Sequence, residues 1–285
     1  MHPMQRRVAI VTDSTAALPR EVVEQYGITV VPLRLRIGQH ATDESHVSPD
    51  DVAAALHNEV AVSTAEPLSP EFFWAYNDAA LAGHSEIVSL HISEHLSATA
   101  ASARQAAARM NIPVHVVNSL TTGLSLGFLV IAAAETAARG ATAEAILGEV
   151  EDLRRRTSQM IYVDGLEHLR RGGRIGKASA LLGAALSIRP VLKLSAGKIV
   201  PLAKVPGSDR ALKLLVNEGV KRSGHQPVDV GVEFFDMPDR ASSVARRLRA
   251  RIPQLRRLVV TRTSTVLAAH VGPGAIGLAI SPCPS

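Results

Sequence analysis

Through residues 1–156, short β-branched runs alternate with helical segments, and that alternation leaves few folds open. Val8–Val11 is a buried-strand run ending in Thr12-Asp13-Ser14-Thr15, and Leu18–Tyr26 then reads as a helix stopped by Gly27. Thr29–Ile37 alternates partly and predicts a strand. Ser48-Pro49-Asp50-Asp51 is a helix start, with a capping hydroxyl, a proline suited to the first turn and two acids at the positive end of the dipole. Ser69-Pro70-Glu71 repeats that signal before Phe72–Leu81. Ile87–Ile92 and Pro113–Val117 are further strands, followed by Ser97–Met110 and Thr121–Ala138 as helices. This order predicts a parallel sheet covered on both faces, with ligands bound beyond the carboxyl ends of its strands.

The second half reads differently. Met160–Val163, Val228–Phe235, Leu258–Thr263 and Ala275–Ile280 are strand runs, while Ala178–Ala185 and the basic stretch Pro238–Arg251 read as helices. Ile188–Leu194 and Lys198–Lys204 flank Ser195-Ala196-Gly197, which is a hairpin signal. A mixed or antiparallel sheet with helices fits best. The expected architecture is a two-domain α/β protein: an N-terminal parallel-sheet domain, residues 1–156, and a C-terminal mixed-sheet domain, residues 157–285. The boundary follows the charged helix 142–156, and no low-complexity linker separates the halves.

Composition narrows the classes further. Hydrophobic residues make up 46 % of the 285, too many for a mostly disordered chain. A single cysteine, Cys283, excludes an intrachain disulfide and a cysteine-cage metal site, and fits a reducing compartment. Four apolar residues between Arg7 and Thr12 are too few for a secretory signal. The most apolar run, Leu124–Ala134, is stopped by Glu135, short of the roughly 20 residues of a spanning helix. A cytoplasmic protein is expected.

The net charge of +5 conceals an asymmetry. Residues 1–150 hold 8 Lys/Arg against 16 Asp/Glu, a net −8, whereas residues 151–285 hold 23 against 10, a net +13. The basic half suggests an anionic partner and keeps a nucleic-acid-binding module open as an alternative. Its basic helices lack interleaved aromatics, so stacking on single strands is not supported.

Three motifs invite chemistry. Gly272-Pro273-Gly274-Ala275-Ile276-Gly277 matches G-x-G-x-x-G, but eight residues follow it, too few for a dinucleotide-binding unit; a close-packed turn is the better reading. Gly172-Gly173-Arg174-Ile175-Gly176-Lys177 hints at a phosphate loop, yet Arg171 and Ala178 stand where glycine and Ser/Thr are needed, which leaves a basic surface loop. Gly123-Leu124-Ser125-Leu126-Gly127 matches the hydrolase elbow, with Asp236 and His270 following in triad order. Ser125 falls inside a helix instead of on the turn after a strand, so a serine esterase is a second alternative. His91 and His95 straddle a strand end and a turn, and no metal site is expected.

Small hydroxyls cluster where strands end: Thr12, Ser14 and Thr15; Ser63 and Thr64; Ser93, Ser97 and Thr99; Ser119, Thr121 and Thr122. Hydroxyls and free N–H groups at helix starts bind carboxylate or phosphate oxygens. Each taken singly reads as a helix cap. No cysteine, paired acids or metal cluster accompanies them, which favours binding over catalysis.

Six ordered segments carry a resemblance. They are Val11–Pro19 (VTDSTAALP), Thr64–Pro67 (TAEP), Ile92–Thr99 (ISEHLSAT), Asp164–Leu169 with Gly172–Gly176 (GGRIG), Ile188–Leu192 (IRPVL) with Gly197-Lys198-Ile199, and His270–Ala275 (HVGPGA). Over nearly its full length the chain resembles the DegV family of fatty-acid-binding proteins. The resemblance implies a carrier, not an enzyme, that holds one long-chain fatty acid in a tunnel between two α/β domains and needs no cofactor. It assigns the carboxylate to Thr64 and Ser97, with His270, Ser93 and Ser14 as further residues of the head-group neighbourhood. Some members present the acid to a separate kinase that phosphorylates its carboxyl group, and Arg174 on the Gly-rich loop is then the candidate docking residue, with an acidic protein partner facing Arg170–Lys177. A monomer without a membrane span is expected.

The chain departs from the family pattern at several points. Thr64-Ala65-Glu66-Pro67 stands for Thr-Ser-Gln-Pro, Ser97-Ala98-Thr99 for Ser-Gly-Thr, and Asn118 for Asp. Val205-Pro206 replaces a Val-Arg step that belongs to the docking face of kinase-partnered members, and the nearest arginine is Arg210.

Overall fold

The structure, a computed structural model, describes residues 8–181 and 188–283. In chain order the first layer contains β1 (Val8–Asp13), α1 (Arg20–Tyr26), β2 (Thr29–Val31), β3 (Arg34–Ile37), β4 (His40–Asp43), α2 (Pro49–His57), β5 (Val62–Ala65), α3 (Ser69–Leu81), β6 (Glu86–His91), α4 (Thr99–Ala107), β7 (Val114–Asn118), α5 (Gly123–Ala138) and α6 (Ala143–Arg156). The second contains β8 (Ser158–Tyr162), α7 (Glu167–Arg171), β9 (Ile188–Ser195), β10 (Lys198–Pro206), α8 (Ser208–Ser223), β11 (Val228–Phe234), α9 (Pro238–Arg251), β12 (Leu255–Arg262), α10 (Thr265–Val271) and β13 (Ile276–Pro282).

A parallel sheet of order β2-β1-β6-β7 forms the first core. Phe72, Tyr76, Ala103 and Ala106 of α3 and α4 pack on one face, and Leu126, Leu129, Ile146 and Val150 of α5 and α6 on the other. A six-stranded mixed sheet of order β10-β9-β8-β13-β11-β12 forms the second; only β11 and β12 run parallel. Strand alternation divides its side chains cleanly. Met160, Tyr162, Val228, Val230, Val232, Ile276 and Leu278 face α8 and α9, whereas Ile161, Val163 and Leu192 pack on the other face with Leu169, Ala178 and Leu181, and with Leu96 of the first domain.

Two expectations from the sequence are corrected. Thr29–Ile37 is not one strand but two: β2 joins the parallel sheet, and β3 starts a separate antiparallel sheet of order β4-β3-β5. Pro32 lies between them and cannot donate to a ladder, and the next N–H, that of Leu33, is given to the Ser14 hydroxyl at 3.0 Å. The small sheet then folds over α10, with Leu33, Leu35, Val52, Val266 and Ala269 in one cluster. In place of the helix Ala178–Ala185, a 3-10 segment covers Gly176–Leu181; the remainder of that helix lies outside the described residues. The α8 segment, which the sequence reading left without an element, carries Ala211, Leu212, Leu215 and Val216 at helical spacing on its buried face.

α5 is buried on all sides and lies between the two sheets. Leu126, Leu129 and Val130 serve the parallel sheet, while Leu124, Phe128 and Ile131 pack toward Ala279 and Val259 of the mixed sheet. This explains the elbow-like glycines. A Cβ at Gly127 would stand 2.6 Å from the Ala16 carbonyl oxygen. Gly123 has φ +61°, and a Cβ there would meet the Glu233 carboxylate. Further ties join the halves: Arg257 to Glu135 at 3.1 Å, Arg262 to Asp50 at 2.7 Å and His57 to Asp236 at 3.2 Å. Part of the −8/+13 asymmetry is therefore spent across the domain interface. Some cations of the second half pair locally, Arg170 and Arg171 with Glu167 and Arg256 with Asp229, whereas Arg246, Arg247 and Arg249 of α9 are exposed.

Two glycine substitutions should separate packing from helix propensity. Gly127→Ala forces a Cβ against backbone and should cost about 1–3 kcal/mol. Gly148→Ala, in α6 with nothing near its Cβ position, should stabilise by about 0.5–1 kcal/mol. Urea denaturation of the two variants checks both signs.

Candidate functional site

The site lies where the carboxyl end of the parallel sheet meets the small sheet, α7 and α10. β5 pairs with β3 so that Thr64 stands opposite Leu35, on the face turned toward α10. Thr64 Oγ1 and His270 Nε2 are joined by a 2.8 Å hydrogen bond. Ser97 precedes α4, and its hydroxyl is bonded to the Thr99 hydroxyl at 2.8 Å instead of capping the helix. Arg174 follows α7, with Nε donating to the Leu96 carbonyl at 3.0 Å and Nη1 to the Gly172 carbonyl at 2.7 Å. Thr64, Ser97, Arg174, His270 and Glu66 all line one cavity with about 550 Å³ of atom-free space, part of it open to solvent.

Apart from Thr122, the rest of that wall is aliphatic, including Leu33, Ile92, Leu96, Ile161, Leu169 and Ile199. These come from both domains, so the cavity runs between them. A second chamber, with about 370 Å³ of atom-free space, shares Thr122, Ile161, Leu267 and Val271 with the first and ends at Gln159, Glu233 and Gly277. The two adjoining cavities are largely aliphatic, with polar groups at Thr64, Ser97, Arg174 and His270 in the first and at Thr122, Gln159, Thr263 and Glu233 in the second.

Two glycine–histidine contacts set the mouth. A Cβ at Gly172 would collide with Nδ1 of His270, and one at Gly272 would collide with the His168 ring. The Gly-rich segments flanking α7 and α10 therefore let two helices and two imidazoles interlock, which is the close-packed-turn reading of the G-x-G-x-x-G match. Burial, and then the nearby Arg174 charge, pushes the His270 pKa down to about 4. His270 is thus neutral at physiological pH, and its Nδ1 has no hydrogen-bond partner among the described residues. The mouth offers hydroxyls, a neutral imidazole and one guanidinium: donors for an anionic head group. Among the described residues no carboxylate is bonded to His270.

Several expected site residues stand elsewhere. Ser93 is fully buried and donates to the Gly197 carbonyl at 2.8 Å, acting as a strut from the first domain to the β9–β10 turn. The Ser14 hydroxyl is engaged by the Leu33 N–H, and Ser14 does not line the cavity. Arg174, read from sequence as a docking residue on a surface loop, is half-buried with its guanidinium on the cavity wall. Ser125 is fully buried and donates to Gln159 Oε1 at 2.5 Å and to the Ser158 carbonyl at 3.2 Å. Asp236 accepts from the Gly274 N–H at 2.6 Å and approaches His57. Ser125, Asp236 and His270 therefore form no triad, which removes the structural basis for an esterase. A different Ser–His–Asp chain does exist. Ser89 Oγ lies 2.7 Å from His91 Nε2, and His91 Nδ1 lies 3.0 Å from Asp13 Oδ2. All three are fully buried, Tyr76 occupies the serine's other side at 2.9 Å, and Phe72 packs its ring against His91, so this chain braces β1 against β6.

Among the described residues, no group of three or more His, Cys, Asp or Glu side chains is placed to hold a metal, and no helix is long and apolar enough to cross a membrane. Glu233 and Gln159 at the inner chamber were not singled out as a site by sequence reading, whereas Thr122 was among the strand-end hydroxyls. The available signal was an acid at the centre of the apolar run Val228–Phe235.

Fold and site define a two-domain α/β binding protein with a tunnel between its domains. The family model described as "Uncharacterised protein, DegV family" matches residues 7–283, and the chain belongs to that family. It is 43 % identical over 279 residues to a DegV domain-containing protein of Streptomyces coelicolor, covering 98 % of this chain and 99 % of that one. Among solved structures it resembles a DegV family protein from Thermus thermophilus described for its fatty acid binding, with TM-score 0.93 and 30 % identity over 97 % of this chain and 100 % of that one. It also resembles DegV of Bacillus subtilis, described as a fatty acid binding protein, with TM-score 0.88 and 27 % identity over 98 % and 100 %.

The neutral His270 makes a pH prediction. The unfolded chain protonates this residue near 6.5 and the folded, ligand-free protein only near 4. Stability is therefore full above about pH 6.5 and falls as the pH drops toward 4, by up to about 3 kcal/mol. Thermal melts of ligand-free wild type and His270→Gln between pH 7 and 4.5 should show a shallower acid decline in the variant.

Proposed function

We propose that this protein is a carrier of one long-chain fatty acid, with the carboxyl group at Thr64 and Ser97 and the acyl chain in the tunnel. The observation that carries this is the pairing of polar groups at Thr64, Ser97, Arg174 and His270 with a largely aliphatic wall drawn from both domains. Each buried methylene contributes about 0.8 kcal/mol, and the head group finds donors at the mouth in place of water. Arg174 supplies positive charge beside the head group, and Glu66, which lines the same cavity, tempers it. The descriptions of the Thermus and Bacillus structures support the same ligand class.

The reading extends to delivery. A monomeric cytoplasmic carrier whose carboxyl group lies at an open mouth is suited to presenting it to a separate kinase. β10 ends in Val205-Pro206, so docking through an arginine at that step is not available to this chain. A kinase partner would have to use other cations of the second domain.

Lipid extracted from the purified protein should contain a stoichiometric C14–C20 acid such as palmitate, identified by mass spectrometry. No such acid, with no thermal shift on adding palmitate, would sink the carrier reading. Thr64→Ala and Ser97→Ala should each weaken fatty acid binding by about 1–3 kcal/mol. Equal affinity in the double variant would contradict the head-group assignment.

A further inference from the structure

The inner chamber of the tunnel is not the plain hydrocarbon pocket that an unsubstituted acyl chain requires. β11 alternates so that Val228, Val230 and Val232 face α8 and α9, which puts Glu233 on the opposite side, between α5 and the chamber. Glu233 is 2 % exposed and lines the chamber with Gln159, Thr263 and Thr122. Its carboxyl accepts from the Leu124 N–H at 3.0 Å, Gln159 Nε2 at 3.3 Å and the Thr263 hydroxyl at 3.3 Å. Among the described residues no cation is paired with it, and burial pushes its pKa up, toward the protonated form that can itself donate. Gly123 and Gly277 leave room beside it where any side chain would crowd the carboxyl group. Thr122 supplies an independent observation. It is 5 % exposed, it lines both compartments, and its hydroxyl has no hydrogen-bond partner among the described residues.

A buried hydroxyl without a partner is costly, and methylenes laid against Thr122, Gln159 and Glu233 would leave it so. Ile161, Leu267, Val271 and Ala275 complete the wall, so the chamber suits an aliphatic chain interrupted by a neutral hydrogen-bonding group. We infer that the inner chamber is a second polar subsite, built by Thr122, Gln159 and Glu233, that selects fatty acids bearing a hydroxyl group on the acyl chain. A hydroxyl can both donate and accept, which matches a lone threonine hydroxyl beside an amide and a carboxyl group. The inference rests on the carrier reading and adds a ligand subclass to it.

The test measures delipidated full-length protein by calorimetry against stearate and against 10-, 12- and 18-hydroxystearate. At least one hydroxystearate should bind about tenfold or more tightly than stearate, as expected where a site's polar groups are satisfied by one ligand and stranded by its analogue. Thr122→Val preserves the side-chain size and should bring that ratio to within about twofold of one; Glu233→Gln should reduce it as well. Tight stearate binding with no preference for any hydroxystearate would overturn this inference and leave the carrier reading standing. A preference undiminished in Thr122→Val would overturn the assignment of the subsite. Failure of every one of these acids to bind would remove both readings.

Discussion

The two domains are arranged around a helix whose residues from Gly123 to Ala134 are buried on every side. α5 must bury apolar side chains all round, so it needs a sheet on each side, and the two sheets come from the two halves of the chain. Close approach is possible because glycines at positions 123, 127 and 231 accommodate Glu233, the Ala16 carbonyl and the Leu124 side chain. Burial of this kind is the main favourable term in folding, and here it also fixes the spacing between the domains. The cavities lie beyond the N-terminus of α5, at Thr122, where the second sheet, α10 and the small sheet meet.

The site inherits its chemistry from that geometry. Residues far apart in sequence reach the mouth because four separate connections end there: β5, the loop before α4, the segment after α7, and α10. A neutral histidine between a threonine and a guanidinium is a product of burial, since an exposed imidazole would titrate near 6.5. The same enclosure that removes water from an acyl chain also strands any polar group facing the interior. Polar residues along the tunnel therefore weigh heavily on which ligand fits.

Buried polar chains within the first domain show why side-chain identity alone misleads. Asp13, His91 and Ser89 have the connectivity of a hydrolytic triad, yet zero exposure makes them a brace between parallel strands. Ser125 has the sequence context of a nucleophile, and its hydroxyl is held by Gln159 and a backbone carbonyl inside the domain interface. Function here depends on which groups face a cavity, not on which residue types are present.

The sequence by itself determined the class of fold, the change from parallel to mixed pairing near residue 157, and the Thr64, Ser97 and His270 segments that now meet at the mouth. Those features are local: hydrophobic period, turn residues and short motifs are written in consecutive positions. It did not reveal the break at Pro32 that creates a third sheet, because both halves of Thr29–Ile37 have the same strand pattern. Nor did it reveal that Ser93 and Ser14 are structural, that Arg174 turns inward, or that Glu233 and Thr122 face the inner chamber. The alternation of β11 says that Glu233 lies opposite the valines, but only packing of α5 against that face decides that the face is dry. Burial, hydrogen-bond partners and shifted proton affinities arise from contacts across tens to hundreds of residues, and the tertiary structure alone sets those.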